Sequence, residues 1–185
     1  MWKKFKAFLL KIKTNSYVYI SHEAQIKGRT YRLRLMQESD IKEVLAVERD
    51  VYFGEVPWTR SNFLLELRNP LKHLYLVITD NEKVIGFAGS RVRRENCHIT
   101  NIAVASTHQN QGIGTYLLNE VKKYGKEMNA KELSLEVRMS NKNAQRLYRR
   151  FGFVSEKVLK GYYTEIKDDG LRMVYALKEE EHASN

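Results

Sequence analysis

The sequence predicts one α/β domain behind a basic N-terminal extension, on three observations. From Thr30 onward, stretches that alternate every second residue take turns with stretches of three- and four-residue apolar spacing, the periods of strand and helix. A glycine-rich turn, QNQGIG at 109–114, joins a strand-like stretch to a helical one. At 185 residues, 43% of them hydrophobic, the chain can fill one core, and a second would have little of its own.

The elements follow in order. TYRLRLMQ alternates as a strand, and Ser39-Asp40 opens a helix with Ile41, Val44, Leu45 and Val47 at helical spacing. VPWTRSNFLLELRNP reads as a turn and a second helix stopped by Pro70. LYLVITD and KVIGFAGSRVRR are strands joined at Asp80-Asn81-Glu82, a hairpin signal, and CHITNIAVAS is a third strand of that run. A helix over 112–128 carries Leu117, Leu118, Val121 and Tyr124 as its stripe. ELSLEVRM is a strand, NKNAQRLYRRFG a helix that Gly152 suits as a C-cap, and FVSEKVLKGYY and LRMVYALK close the chain as strands. The reading gives about seven strands and about four helices. Its divisions are an extension at 1–29, a folded domain at 30–178 and a loose tail at 179–185.

Charge is uneven. The net charge is +10, yet residues 1–30 hold seven Lys/Arg against one Glu. In MWKKFKAFLLKIK the apolar run is too short for a secretory segment or a membrane span. Trp2, Phe5, Phe8, Leu9 and Ile12 recur at helical steps with lysines between them, which describes a basic amphipathic helix. Such a helix either docks on an anionic membrane or ribosomal RNA, or packs on the domain with its lysines solvated. Cys97 is the single cysteine, which excludes an internal disulfide and fits a reducing, cytoplasmic setting. The five histidines are scattered without metal-ligand spacing, so no metal is expected.

The turn at 109–114 is suited to phosphate, because glycines let the backbone approach and a helix start offers unpaired N–H groups. It is not a P-loop, since Gly114 is followed by Thr115-Tyr116 without a Lys. It is not a dinucleotide fingerprint either, since Leu117 is too large for the third small residue. What remains is Q-x-x-G-x-G: Gln109, Gly112, Gly114. This resembles the pyrophosphate turn of the GCN5-related N-acetyltransferases (GNAT), which hold acetyl-coenzyme A. NIAV at 101–104 looks like their coenzyme strand, and LEVRMSNKNAQRLYRRFGF at 135–153 resembles a block of the bacterial ribosomal-protein-alanine N-acetyltransferases. GYY followed by DDGLRM resembles their closing hairpin, and PWTRSNF the start of their second helix. The resemblance spans about residues 30–178. It implies the GNAT fold, with a mixed, mostly antiparallel central sheet, and transfer of acetyl from acetyl-CoA to the N-terminal alanine of a small-subunit ribosomal protein.

The resemblance carries roles onto residues. Glu136 matches the family's proton acceptor; on its strand it faces away from Leu133, Leu135 and Val137, and its plainer reading is a polar-face residue paired with a cation across the strand. Tyr148 matches the proton donor, a phenol being closer to a thiolate in pKa than a carboxylic acid is; its spacing with Ala144, Leu147 and Phe151 equally describes a core aromatic. Coenzyme contacts fall on Ile102, Ala103 and Val104, on Asn110, Gln111, Gly112, Ile113, Gly114 and Thr115, and on Asn141, which alternatively is only an N-cap. Cys97 reads as a small buried hydrophobe, so direct transfer in a ternary complex is expected. Of Tyr162 and Tyr163, at most one should wall a peptide channel while the other enters the core.

Two departures stand out. The turn lacks the arginine that many relatives carry, leaving backbone donors and Lys142 or Arg146 for the pyrophosphate, and Ala105-Ser106 replaces the usual residue-Pro pair. Competing functions are acetylation of a small amine and a non-catalytic module binding RNA or membrane through residues 1–13. A monomer is expected.

Overall fold

The structure, a computed structural model, describes residues 17–52, 54 and 57–177. The amphipathic stretch at 1–13, the tail at 179–185, and Phe53, Glu55 and Val56 lie outside the described residues. The strands are β1 (His22–Ile26), β2 (Arg29–Leu35), β3 (His73–Asp80), β4 (Lys83–Arg93), β5 (Asn96–Val104), β6 (Glu132–Arg138), β7 (Val154–Tyr163) and β8 (Asp168–Ala176). The helices are α1 (Ile41–Val51), α2 (Arg60–Leu67), α3 (Ile113–Glu127) and α4 (Lys142–Phe151). One eight-stranded sheet runs in the order β1-β2-β3-β4-β5-β6-β8-β7, and every pair is antiparallel except β5 with β6.

The strand beyond the expected seven is β1, inside the stretch read as an extension. Ala24 and Ile26 face the core while their neighbours face out, a signal only five residues long. Lys27 (φ 47°) and Gly28 (φ 78°) turn the chain into β2, and His22 to Ile26 pair in register with Leu33 to Arg29. Upstream, Tyr17 and Tyr19 pack on the core, and the Tyr19 hydroxyl donates to the buried Glu120 of α3 at 2.9 Å.

Local chemistry accounts for the remaining boundaries. Asn81 and Glu82, both at positive φ, form the two-residue β3–β4 turn. Thr59 caps α2, and Gly152, at φ 112°, ends α4. β3 and β4 are covered on both faces. Leu74, Leu76 and Ile78 meet the layer of α3 and α4, while Tyr75 and Val77 meet that of α1 and α2. Burial on both sides explains why these strands read as almost unbroken apolar runs. At the far margin β7 pairs only with β8, is mostly exposed, and carries Lys157 and Lys160.

Gly89 is where the two central strands pass closest to side chains. A Cβ there would lie 2.2 Å from a ring carbon of Tyr75 and 2.5 Å from Asn101 Oδ1. Tyr75 is 2% exposed and cannot swing away. Gly89→Ala is therefore expected to cost about 1–3 kcal/mol, the usual range for overpacking a core. Urea denaturation checks this, and an unshifted midpoint would contradict it.

Candidate active site

β5 and β6 pair only between Asn96–His98 and Glu132–Ser134, and then part. β5 continues to bond β4 as far as Val104, and β6 continues to bond β8 as far as Arg138. Each strand is held from its far side, so a cleft opens between them. Thr100 is an extra residue in β5, the register passing from Gly89↔Asn101 to Ser90↔Ile99. The side-chain nitrogen of Asn101 is buried at this place without a partner among the described residues. Ile102 is half-buried, Ala103 and Val104 are buried, and their backbone forms the wall beyond the split. An extended arm with its own amides fits such a wall, because backbone groups left without a strand need partners.

The glycine-rich turn follows directly. Gly112, at φ 93°, opens α3, and no side chain caps that terminus, which leaves first-turn N–H groups for an anion. Side chains around it shape the loop. Gln109 Nε2 donates to the Val104 carbonyl at 3.0 Å, tying the turn to the end of β5. Gln111 donates to the Thr107 carbonyl at 3.1 Å and accepts from the Tyr31 hydroxyl at 3.3 Å. Asn110 takes a left-handed φ of 61°. Ile113 is in the core and offers only its backbone, while Thr115 is exposed. A Cβ on Gly114 would come within 3.1 Å of Leu147, so glycine lets α3 approach α4. Asn141 caps α4 through its carbonyl oxygen, bonded to the Ala144 N–H at 3.0 Å, which leaves its amide hydrogens for a ligand.

Across the cleft, Glu136 stands directly opposite Arg172 of β8 and accepts from its Nη1 at 2.9 Å. Its other oxygen lies 3.3 Å from Nε2 of His98. Burial pulls the His98 pKa below the ordinary value, against the pull of Glu136, so the ring is neutral at pH 7. The cross-strand cation foreseen as the plainer reading of Glu136 is thus present. It fixes the carboxylate in place beside the split.

Tyr148 is buried, and α4 is locked to β6 by Gln145, whose Nε2 donates to the carbonyls of Arg138 and Met139 at 3.0 and 3.1 Å. Burial, and then the neighbouring phenols of Tyr52 and Tyr163, push the Tyr148 pKa up, so the hydroxyl keeps its proton at neutral pH. Burial, and then the phenols of Tyr162 and Tyr52 with Glu136, push the Tyr163 pKa up as well. The guanidinium of Arg138 lies over the rings of Tyr52 and Tyr163, at 4.9 and 5.6 Å. Neither Tyr162 nor Tyr163 enters the core: the first is 50% exposed and the second half-buried. A register break between Leu159 and Tyr163 upsets the strict alternation that predicted one inward ring.

Residues that sequence reasoning missed complete the site. Arg172 and His98 carried no local motif and emerge only from strand register. Glu48 could have been found, because it stands four residues after Val44 on the apolar stripe of α1. It is 2% exposed and accepts the Trp58 N–H at 3.3 Å; burial pushes its pKa up to about 7. Cys97 is fully buried, its thiol pushed up to about 12 by burial, and takes no part in the cleft.

The chain as a whole is similar to known proteins. The Acetyltransferase (GNAT) family model matches residues 40–153. The chain belongs to the GNAT acetyltransferases. A Bacillus subtilis protein, named provisionally as a [ribosomal protein bS18]-alanine N-acetyltransferase, is 36% identical over 80% of this chain and 96% of its own length. An N-alpha-acetyltransferase of Sulfurisphaera tokodaii is 30% identical over 77% of this chain and 91% of its own. The crystal structure of the ribosomal-protein-S18-alanine N-acetyltransferase from Escherichia coli superimposes with a TM-score of 0.71 at 25% identity, covering 84% of this chain and 99% of that one. The enzyme is an acyltransferase that uses acetyl-CoA. The unpartnered Asn101 nitrogen, the open β5 wall and the uncapped α3 start fit that donor. Among the described residues, no helix is long and apolar enough to cross a membrane, and no three His, Cys, Asp or Glu gather as a metal site.

Glu48 generates a prediction whose sign is fixed. An unfolded glutamate loses its proton near pH 4.3, whereas the folded one keeps it to about 7. The folded chain thus binds the extra proton between those values, and Glu48 costs stability progressively as pH rises through that window. Glu48→Gln should raise the melting temperature relative to the parent at pH 8 and by less at pH 5. A pH-independent difference in thermal unfolding would contradict this.

Proposed function

We propose that this acetyltransferase modifies the α-amine of an N-terminal alanine on a small-subunit ribosomal protein, acting in a ternary complex without a covalent enzyme intermediate. The observation that carries the reading is that the Glu136 carboxylate is held by Arg172 beside the β5–β6 split, while Tyr148 sits on α4, the helix that Gln145 ties to the end of β6. The naming of the bacterial relatives for bS18-alanine acetylation supports the choice of acceptor. When bound, acetyl-CoA supplies an activated acetyl thioester. Backbone from 102–104 lines its arm, and the amides of 110–115 with Asn141 hold its phosphate end.

Glu136, held by Arg172, accepts the proton that the attacking amine gives up, directly or through a water. Tyr148, still protonated, holds at Oη the proton for the departing thiolate. Energetics favour a chain terminus. An α-amine titrates near 7.7–8.0 and lysine near 10.4, so deprotonation at neutral pH costs about 3.5 kcal/mol less for the terminus. Tyr52 and Tyr163 lie under Arg138 at the end of β6, an aromatic setting that suits a peptide better than a polyamine, whose pocket would need several carboxylates. Work on the ribosome, with residues 1–13 as a contact to it or to an anionic surface, and a monomeric cytoplasmic enzyme complete the reading.

Glu136→Gln should lower kcat on an alanine-initiated peptide by about 100-fold, with KM for acetyl-CoA changed by less than about threefold. Tyr148→Phe should lower kcat in the same assay with a similarly small effect on that KM. Parent turnover should rise from pH 6 to 8, and a flat profile over pH 6–9 would defeat the assignment of the base. Mass spectrometry of a peptide and free-amine library decides the acceptor. Preferential labelling of lysine side chains or polyamines would overturn the terminal-alanine reading.

A further inference from the structure

The turn that receives the diphosphate has no cation of its own: 109–115 reads QNQGIGT. The β1–β2 hairpin, which precedes the residues matched by the family model, presses two cations against it. Lys27 Nζ donates to the Asn110 carbonyl at 3.2 Å, and Arg29 Nη1 reaches Gln111 Oε1 at 3.4 Å. Tyr31, on the same hairpin, holds that oxygen of Gln111 at 3.3 Å. The hairpin tip is also packed on the turn: a Cβ on Gly112 would lie 3.3 Å from Ile26 Cγ2 and 3.9 Å from Lys27 Cε. Ile26 is 7% exposed, so this end of the hairpin is anchored in the core, while Lys27 and Arg29 are exposed at its tip.

The contacts therefore do two things. They clamp the carbonyl of Asn110 and the side chain of Gln111, which sets the course of the backbone into Gly112. They also place two exposed basic side chains at the rim of an anion site whose own turn carries no charged residue. We propose that the β1–β2 hairpin is part of the coenzyme site, with Lys27 and Arg29 supplying to the diphosphate of acetyl-CoA the positive charge that the turn lacks. The inference rests on acetyl-CoA being the donor and is independent of which amine accepts the acetyl group.

Calorimetry with CoA tests it apart from turnover. The double variant Lys27→Gln, Arg29→Gln should bind CoA about tenfold more weakly than the parent at 50 mM salt. The gap should narrow to about twofold or less at 0.5 M, where the screening length falls to a few ångströms. Lys27→Arg should retain most of the parent affinity. In steady-state assays the double variant should show a raised KM for acetyl-CoA, a kcat close to that of the parent, and an unchanged KM for acetyl-pantetheine, which has no diphosphate. Equal CoA affinity in parent and double variant overturns the proposal. So does a KM raised equally for acetyl-pantetheine, which would make the hairpin a support of the cleft and not a partner of the phosphates. A parent chain that binds no CoA would overturn the coenzyme assignment as well, whereas the library experiment on acceptors bears on neither.

Discussion

The structure turns on the parting of β5 from β6. Parallel strands are joined by evenly spaced bonds that would ordinarily run the length of both, and here they stop after three residue pairs. Each strand keeps its outer neighbour, so the split costs bonds only along the inner edges and the sheet stays continuous at its base. The extra residue at Thr100 deflects β5 at that level, and the Arg172–Glu136 pair fastens β6 to β8 beside it. The sheet thereby contains a slot lined by main chain, a surface suited to an extended amide-bearing arm.

Around the slot, the elements divide the work according to what their residues can offer. The glycine turn offers backbone, and its glutamines are committed to holding the loop. β6 offers a fixed carboxylate and α4 a protonated phenol. Glu48 is a buried carboxyl on the apolar stripe of α1, and its ionisation is destabilising. It accepts the Trp58 N–H, which ties α1 to the residue just before the Thr59 cap of α2.

Much of this was legible in the sequence because it depends on local pattern. The apolar stripes of α1 and α3, the turn at Asn81-Glu82, the cap at Gly152 and the glycine turn are all set by residues within a few positions of one another. The candidate site residues named from the sequence likewise fall in contiguous blocks: 101–104, 109–115 and 135–148. What escaped depends on register or on short segments. HEAQI is too brief and too polar for its two inward residues to announce a strand, and only pairing with β2 makes it one. Arg172 lies 36 residues from Glu136 and meets it only because β6 and β8 align. The orientation of Tyr162 and Tyr163 was misread because a strand with breaks in register does not alternate.

The burial of Cys97 has a practical side. Its thiol is sealed between the sheet and α3, 0% exposed, and it is the chain's single cysteine. The folded enzyme therefore presents nothing to an aromatic disulfide reagent such as DTNB, and coloured signal in a turnover assay reports released CoA alone. Thiol-directed oxidants and alkylating agents likewise meet no exposed cysteine on the native fold, so their reaction at Cys97 would have to begin with unfolding.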